Sequence, residues 1–205
     1  DAIILDLGVN SAQLYEENGR GVSFRRDEPL LMTLSNAPGE GRLTAADLVN
    51  TLAEEDLAGI IYAYGEEQFS RRIARGIVAG RALEPIETTG ALVCLIEASV
   101  PTFYLKRKIH PATKTFQALR IAVNDELDAL KEGLAGAWEV LTPGGRLAVI
   151  SFHSLEARLV KNFCNERKKE GQGKIITKHA LKPTLVEKKE NPRSRSAELR
   201  IVEKQ

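Results

Sequence analysis

Two short polar tracts follow directly on apolar runs, and their residue types could bind and orient a ligand. Asp6 lies at the end of the run Ala2-Ile-Ile-Leu-Asp-Leu7, and Gly8 follows, where the backbone can come close to a partner. A carboxylate at a strand tip accepts hydrogen bonds from the hydroxyl or amino groups of a bound molecule. The second tract is Ser151-Phe-His-Ser154, after Leu147-Ala-Val-Ile150. Pro143-Gly-Gly145 ends the preceding helix, and Leu147 to Ile150 suits a buried strand. Helix end, turn, strand and polar tip in this order belong to an α/β nucleotide- or cofactor-binding sheet, where ligands sit beyond the carboxyl ends of the strands. His153 is a candidate base because an unperturbed imidazole titrates near neutrality. Its other readings are to bond phosphate or to fix Ser151 and Ser154.

Other residues suit anions. His110, Thr113, Lys114 and Arg120 run across a loop and the first turns of a helix, where side chains and unpaired amides hold phosphate. Asn191-Pro-Arg-Ser-Arg-Ser196 presents Arg193 and Arg195 among hydroxyl donors. Arg71, Arg72 and Arg75 fall on the polar side of an amphipathic helix, and Lys106-Arg-Lys108 forms a basic loop. The net charge of +1 conceals a basic C-terminal third after an acidic stretch that begins at Glu54-Glu-Asp56, a local field suited to a polyanion. Cys94 and Cys164 lie far apart, so a reduced intracellular protein is expected, and the scattered histidines and cysteines give no metal-ligand spacing. No apolar run is long enough to span a bilayer and no signal peptide is evident, so the cytoplasm is the expected compartment.

The positioning elements can be read from periodicity. An apolar fraction of 43% in 205 residues is enough for a sizeable core. Ala2–Leu7 is a strand, and the turn-rich loop that follows is packed down by Phe24, Leu30, Leu31 and Met32. From Leu43 to Val100 apolar residues recur at three- and four-residue steps, punctuated by Gly65, Pro85 and Pro101, which predicts several helices. Thr44 and Thr88 or Thr89 are N-cap candidates. Phe116 to Leu141 reads as one long helix and Leu155 to Glu166 as another. Lys174–Lys178 and Glu198–Val202 alternate as an antiparallel pair at a sheet edge.

The segment Leu141-Thr-Pro-Gly-Gly-Arg-Leu-Ala-Val-Ile-Ser-Phe-His-Ser-Leu-Glu156 resembles the L-x-P-G-G-R-L-x-V-I-S-F-H-S-L-E pattern of the bacterial 16S ribosomal RNA cytosine-N4 methyltransferases. Four more blocks occur in family order from end to end: Leu5 to Gln13, Tyr64 to Arg75, His110 to Leu127, and Asn191 to Arg200. The resemblance implies a partial Rossmann-like class I methyltransferase core, α/β, in residues 1–41 and 109–205. A helical inserted subdomain for substrate recognition occupies 42–108. It implies S-adenosylmethionine as cofactor, with Asp6 and Gln13 beside it, and 16S ribosomal RNA in the small ribosomal subunit as partner. The acceptor is the N4 amine of a cytidine in the decoding region. That amine is a poor nucleophile because its lone pair is delocalised into the ring. Acceptors for its hydrogens would turn the lone pair toward the methyl donor, and Asn10 and Ser11 are the candidates. His110, Lys114, Arg120, His153, Arg193 and Arg195 are the expected RNA contacts. A target base in structured RNA must be extruded, and Phe24 or Phe152 is placed to stack on it.

The chain also departs from the family. Asn10-Ser-Ala-Gln13 stands where the family has Ser-Ser-Pro-Gln, and Leu31, Thr33 and Ser35 replace two acids and an arginine. The family's Gly-rich cofactor loop and ribose-binding acid belong to strands before the equivalent of Asp1, so only part of the cofactor pocket is expected, with an exposed apolar sheet edge and poor solubility. Two rival expectations remain: a catalytically inactive RNA- or ribosome-binding remnant, and a methyltransferase acting on DNA amino groups.

Overall fold

The computed structural model describes residues 1–9, 19–34 and 43–205. It has two compact units, residues 1–8 with 127–205, and residues 9–126. These bounds differ from 42 and 108, because the 19–34 segment and the helix following His110 share the helical unit's core.

The first unit is α/β. Strand β1 (Ala2–Asp6) runs parallel to β2 (Arg146–Ser151), with Asp6 opposite Ile150. β4 (Glu198–Lys204) is antiparallel to β2 and to β3 (Gly173–Ile175), giving the order β1-β2-β4-β3. The expected C-terminal antiparallel pair is therefore β3 with β4. The turn into β2 depends on glycine: Gly144 has φ 81°, and a Cβ on Gly145 would come within 2.9 Å of Leu141 Cδ2 and the Thr142 carbonyl. Leu147, Val149 and Val202 turn inward into one cluster with Leu134, Trp138, Val160 and Cys164. Trp138 meets Phe163 edge to face at 5.8 Å. Burial pushes the Cys164 thiol pKa up.

Lys204 closes the unit. Its ammonium donates to the carbonyls of Trp138 and Leu141, both at 2.7 Å, and to that of Glu139 at 3.2 Å. Those carbonyls end the helix Glu126–Val140, where a cation satisfies orphan acceptors and the negative pole of the dipole.

The second unit is helical among its described residues: α1 (Ala45–Thr51), α2 (Glu54–Gly65), α3 (Ser70–Arg81), α4 (Thr89–Ser99), α5 (Thr102–Leu105) and α6 (Ala112–Asn124). Thr44 caps α1 in a capping box with Asp47, and Thr88 caps α4. Leu57, Ile61, Ile73, Ile77, Leu92 and Leu119 are fully buried. Gly65 lets α2 approach α6, since a Cβ there would lie 2.6 Å from the Lys114 carbonyl oxygen. Leu30 and Met32 of the 19–34 segment enter the same core, and the Leu30 amide donates to the Glu87 carbonyl at 2.8 Å. The Asp27 carboxylate accepts from the Gly90 amide at 2.8 Å. That bond, with those from Thr88 and Thr89, holds its pKa below the ordinary value.

The single helix expected over 116–141 is two. α6 ends at Asn124, Asp125 adopts the left-handed conformation with φ 48°, and α7 (Glu126–Val140) begins at the next residue. The break is held from both sides. The Asn124 side chain donates to the carbonyls of Met32 and Arg120, both at 2.8 Å, and accepts from the Leu34 amide at 2.8 Å. Arg120 forks onto Glu126 at 2.7 and 2.9 Å. Apolar periodicity does not register a one-residue left-handed step, which Asn and Asp tolerate better than most residues.

Candidate active site at the strand tips

The parallel strands β1 and β2 end together. Asp6 is exposed at the end of β1, and the Leu7 amide donates to the Ile150 carbonyl at 3.1 Å, extending the pairing one step beyond the strand. Gly8 then turns away with φ 96°, a conformation disfavoured for residues with a side chain. The place its Cβ would occupy is 3.7 Å from the Phe152 ring. Asp6, Gly8 and Phe152 therefore share the carboxyl end of a parallel strand pair, the usual binding edge of an open α/β sheet. Asn10, Ser11 and Gln13 lie outside the described residues.

The tip of β2 is fixed by the start of α8 (Ser154–Lys169). His153 is its N-cap, and its Nδ1 accepts weakly from the Glu156 amide at 3.4 Å. Glu156 Oε2 accepts in return from the Phe152 and His153 amides at 2.8 and 3.3 Å, a capping box. His153 Nε2 lies 3.2 Å from Glu156 Oε1, but without hydrogen-bond alignment, so that buried nitrogen has no hydrogen-bond partner. Burial alone would raise the Glu156 pKa. The His153 ring and the two amides outweigh it and hold the carboxyl below its ordinary value. With its side chain only 12% exposed, His153 is placed to shape the strand tip. Ser151 is buried and donates to the Glu198 carbonyl at 3.3 Å.

The expected anion-binding residues divide between the two units. His110, Lys114 and Arg120 belong to the helical unit, and each has an internal partner. His110 lies 3.2 Å from Glu97 and packs on Phe24 at 4.8 Å. Lys114 donates to the Glu66 carbonyl at 2.7 Å, and Arg120 is held by Glu126. Phe24 is half-buried, its ring also edge-on to Phe116 at 5.0 Å. Arg193 and Arg195 are exposed on a 3-10 turn, Pro192–Ser196, capped by the Asn191 side chain.

A second concentration of chemistry was not visible as a unit in the sequence. Glu67, with no exposed surface, accepts from the Tyr104 hydroxyl at 2.6 Å and from the Phe69 amide at 2.9 Å. Burial first, then Glu67, pushes the Tyr104 pKa up to about 12. Phe69 packs edge-on against Tyr104 at 4.9 Å and Phe103 at 6.2 Å. The aromatic pair beside Lys106-Arg-Lys108 was the available signal, but the contacts to Glu67 and Phe69 span long sequence separations.

The strand tips carry an exposed carboxylate, a backbone bare of Cβ and an aromatic ring, a set that could meet the polar and planar parts of a nucleoside. No helix among the described residues is long and apolar enough to cross a membrane.

The model of the MraW methylase family matches residues 1–205. Among curated relatives, a ribosomal RNA small subunit methyltransferase H from Syntrophobacter fumaroxidans is 48% identical over 220 residues, covering 100% of this chain and 68% of the relative. The protein of that name from Deinococcus deserti is 52% identical over 207 residues, covering 100% and 65%, and that from Deinococcus radiodurans 51% over 206, covering 100% and 62%. The chain thus spans about two thirds of the length of the curated relatives it matches. A match along every residue, over an α/β sheet whose parallel strand tips carry Asp6 and Gly8, means that this chain belongs to the MraW methylase family.

Proposed function

We propose that this chain carries out S-adenosylmethionine-dependent methylation of the N4 amine of a cytidine in 16S ribosomal RNA, in the decoding region of the small subunit, in the cytoplasm. The observation that carries this reading is the identity of about half the residues, along the whole chain, to proteins named as small-subunit ribosomal RNA methyltransferases. Bound S-adenosylmethionine would supply an electrophilic methyl group. Asp6 would hold the cofactor at the tip of β1 by accepting from its polar groups, and Gln13 is assigned beside it. Phe152, held by the Glu156 capping box, would wall the same crevice and exclude water.

Asn10 and Ser11 are assigned to the cytosine amine. Hydrogen bonds accepted from both amine hydrogens rotate the lone pair toward the methyl donor, so positioning and electrostatics supply the rate. The methylated amine is cationic and loses its proton readily to water, so no strong base is required. That agrees with a His153 committed to the α8 cap. The helical segment 42–108 is assigned to substrate recognition, and His110, Lys114, Arg120, His153, Arg193 and Arg195 to the RNA-facing set. Of these, Arg193 and Arg195 are the exposed ones.

The test is methyl transfer from labelled S-adenosylmethionine to small subunits prepared without the modification, followed by nucleoside mass spectrometry. N4-methylcytidine appearing at one position, and lost with Asp6→Ala, is the expected result. Labelled DNA with unlabelled RNA would replace this reading with the DNA one.

A further inference from the structure

The helical unit carries an exposed aromatic and guanidinium platform. Phe103 on α5 is 59% exposed. Beside it, the guanidinium of Arg107 lies 4.8 Å over the Tyr104 ring, and that of Arg72 lies 6.0 Å from the Phe69 ring centroid. The rings are not loose surface groups. Tyr104 is 5% exposed and pinned by Glu67, which also holds the Phe69 amide, so a buried carboxylate fixes α5 to the start of α3.

The exposed charge that the first turn of α3 and residues 106–108 carry is cationic. Arg71, Arg72, Lys106, Arg107 and Lys108 are all exposed, and no carboxylate among the described residues forms an ion pair with any of them. Of the two acids just before α3, Glu67 is buried against Tyr104 and Glu66 is exposed.

We propose that this platform binds single-stranded RNA, with an unstacked base on Phe103 and the flanking phosphates on Arg72 and Arg107. An exposed ring on a rigid base, flanked by cations without carboxylate partners, is what single-strand recognition needs: every base offers a π face, and the phosphates supply the charge that the cations lack. The inference deepens the ribosomal RNA reading and rests on it, because it names a surface of the helical unit that holds the RNA strand. The same surface disfavours duplex, whose bases remain stacked.

The experiment is fluorescence anisotropy of a short labelled single-stranded RNA with the full chain, across a salt series. Phe103→Ala is expected to weaken binding about tenfold or more with the salt slope retained. Arg107→Gln is expected to weaken binding and lower the salt slope by about 1. Both residues are exposed, and circular dichroism melts establish that the variants fold. The joint variant Lys168→Ala/Lys169→Ala, which removes two exposed cations at the end of α8, is the control for charge alone and is expected to leave the Phe103 effect unmatched. The proposal is overturned if the unsubstituted chain does not bind the RNA, if Phe103→Ala binds as tightly as the parent, or if the control weakens binding as much as Phe103→Ala. It is also overturned if Phe103→Ala loses only binding to vesicles of phosphatidylglycerol and phosphatidylcholine, which would make the platform a lipid-facing surface. Failure of the methylation reading has a different signature: Phe103-dependent RNA binding with no N4-methylcytidine formed.

Discussion

Leu57, Ile61, Ile77 and Leu119 in the helical unit have no exposed surface, whereas Ile4 in strand β1 of the α/β unit is 70% exposed. Across the sheet from Ile4, in register, lie Ala148 and Ile201, both half-buried. The opposite face, with Leu147, Val149 and Val202, is packed under helices. One unit thus surrounds its core with helices, while the other buries one face of its sheet and leaves an apolar strand at the edge. Edge strands of this kind invite pairing. The contrast separates two kinds of scaffold: the helical unit has a core enclosed by its own helices, and the α/β unit has a sheet whose strand tips carry Asp6 and Phe152.

The largest expected effect is on the enclosed core. Ile61→Ala should cost about 2–5 kcal/mol in urea unfolding, as large-to-small changes at fully buried sites do. Ile4→Ala on the exposed edge should stay within about 0.5 kcal/mol. Equal costs would erase the distinction between the two regions. Native-state hydrogen exchange offers an independent check, with amides of α2 and α6 expected to be protected far longer than those of β1.

The Glu156 capping box ties the tip of β2 to the start of α8. Glu156→Gln is expected to cost about 0.5–2 kcal/mol at neutral pH. The folded carboxyl titrates below its ordinary value of 4.5. Its contribution is therefore complete above the unfolded pKa and disappears as pH falls through the lower folded value. Melting temperatures of parent and variant should converge in acid, and a gap that stays constant with pH would show that the carboxylate charge does not matter.

A smaller effect than that of the capping box, and of opposite sign, is expected at the junction of α6 and α7. Asp125→Gly should stabilise by up to about 1 kcal/mol in the same urea assay, because glycine occupies φ 48° without a Cβ penalty. Destabilisation would mean that the Asp125 side chain contributes more than its backbone costs.

The strands were legible because β-branched runs and alternation mark Ala2–Asp6, β2, and the β3–β4 pair, and threonines before apolar periods marked the caps of α1 and α4. What escaped was set by contacts distant in sequence. The helix break at Asp125 depends on Asn124 reaching the Met32 carbonyl and Leu34 amide. The positions of Tyr104 and Phe69 depend on a buried Glu67 that polarity alone assigns to the surface. In the candidate site, Asp6 and Gly8 could be placed from the strand's end. The burial of His153 in a cap with Glu156 could not be separated from a catalytic imidazole, since both put a histidine after a strand. Sequence likewise does not show that Lys114 donates to the Glu66 carbonyl or that Arg120 pairs with Glu126.

The strand-tip site is tested most directly by calorimetric titration of S-adenosylmethionine into the folded chain and into Asp6→Ala. Saturable binding by the parent, weakened about tenfold or more by loss of the carboxylate, is the expected result. A folded parent that takes up no S-adenosylmethionine, or an Asp6→Ala variant that binds it as tightly, would contradict the assignment of the β1 tip as the cofactor edge.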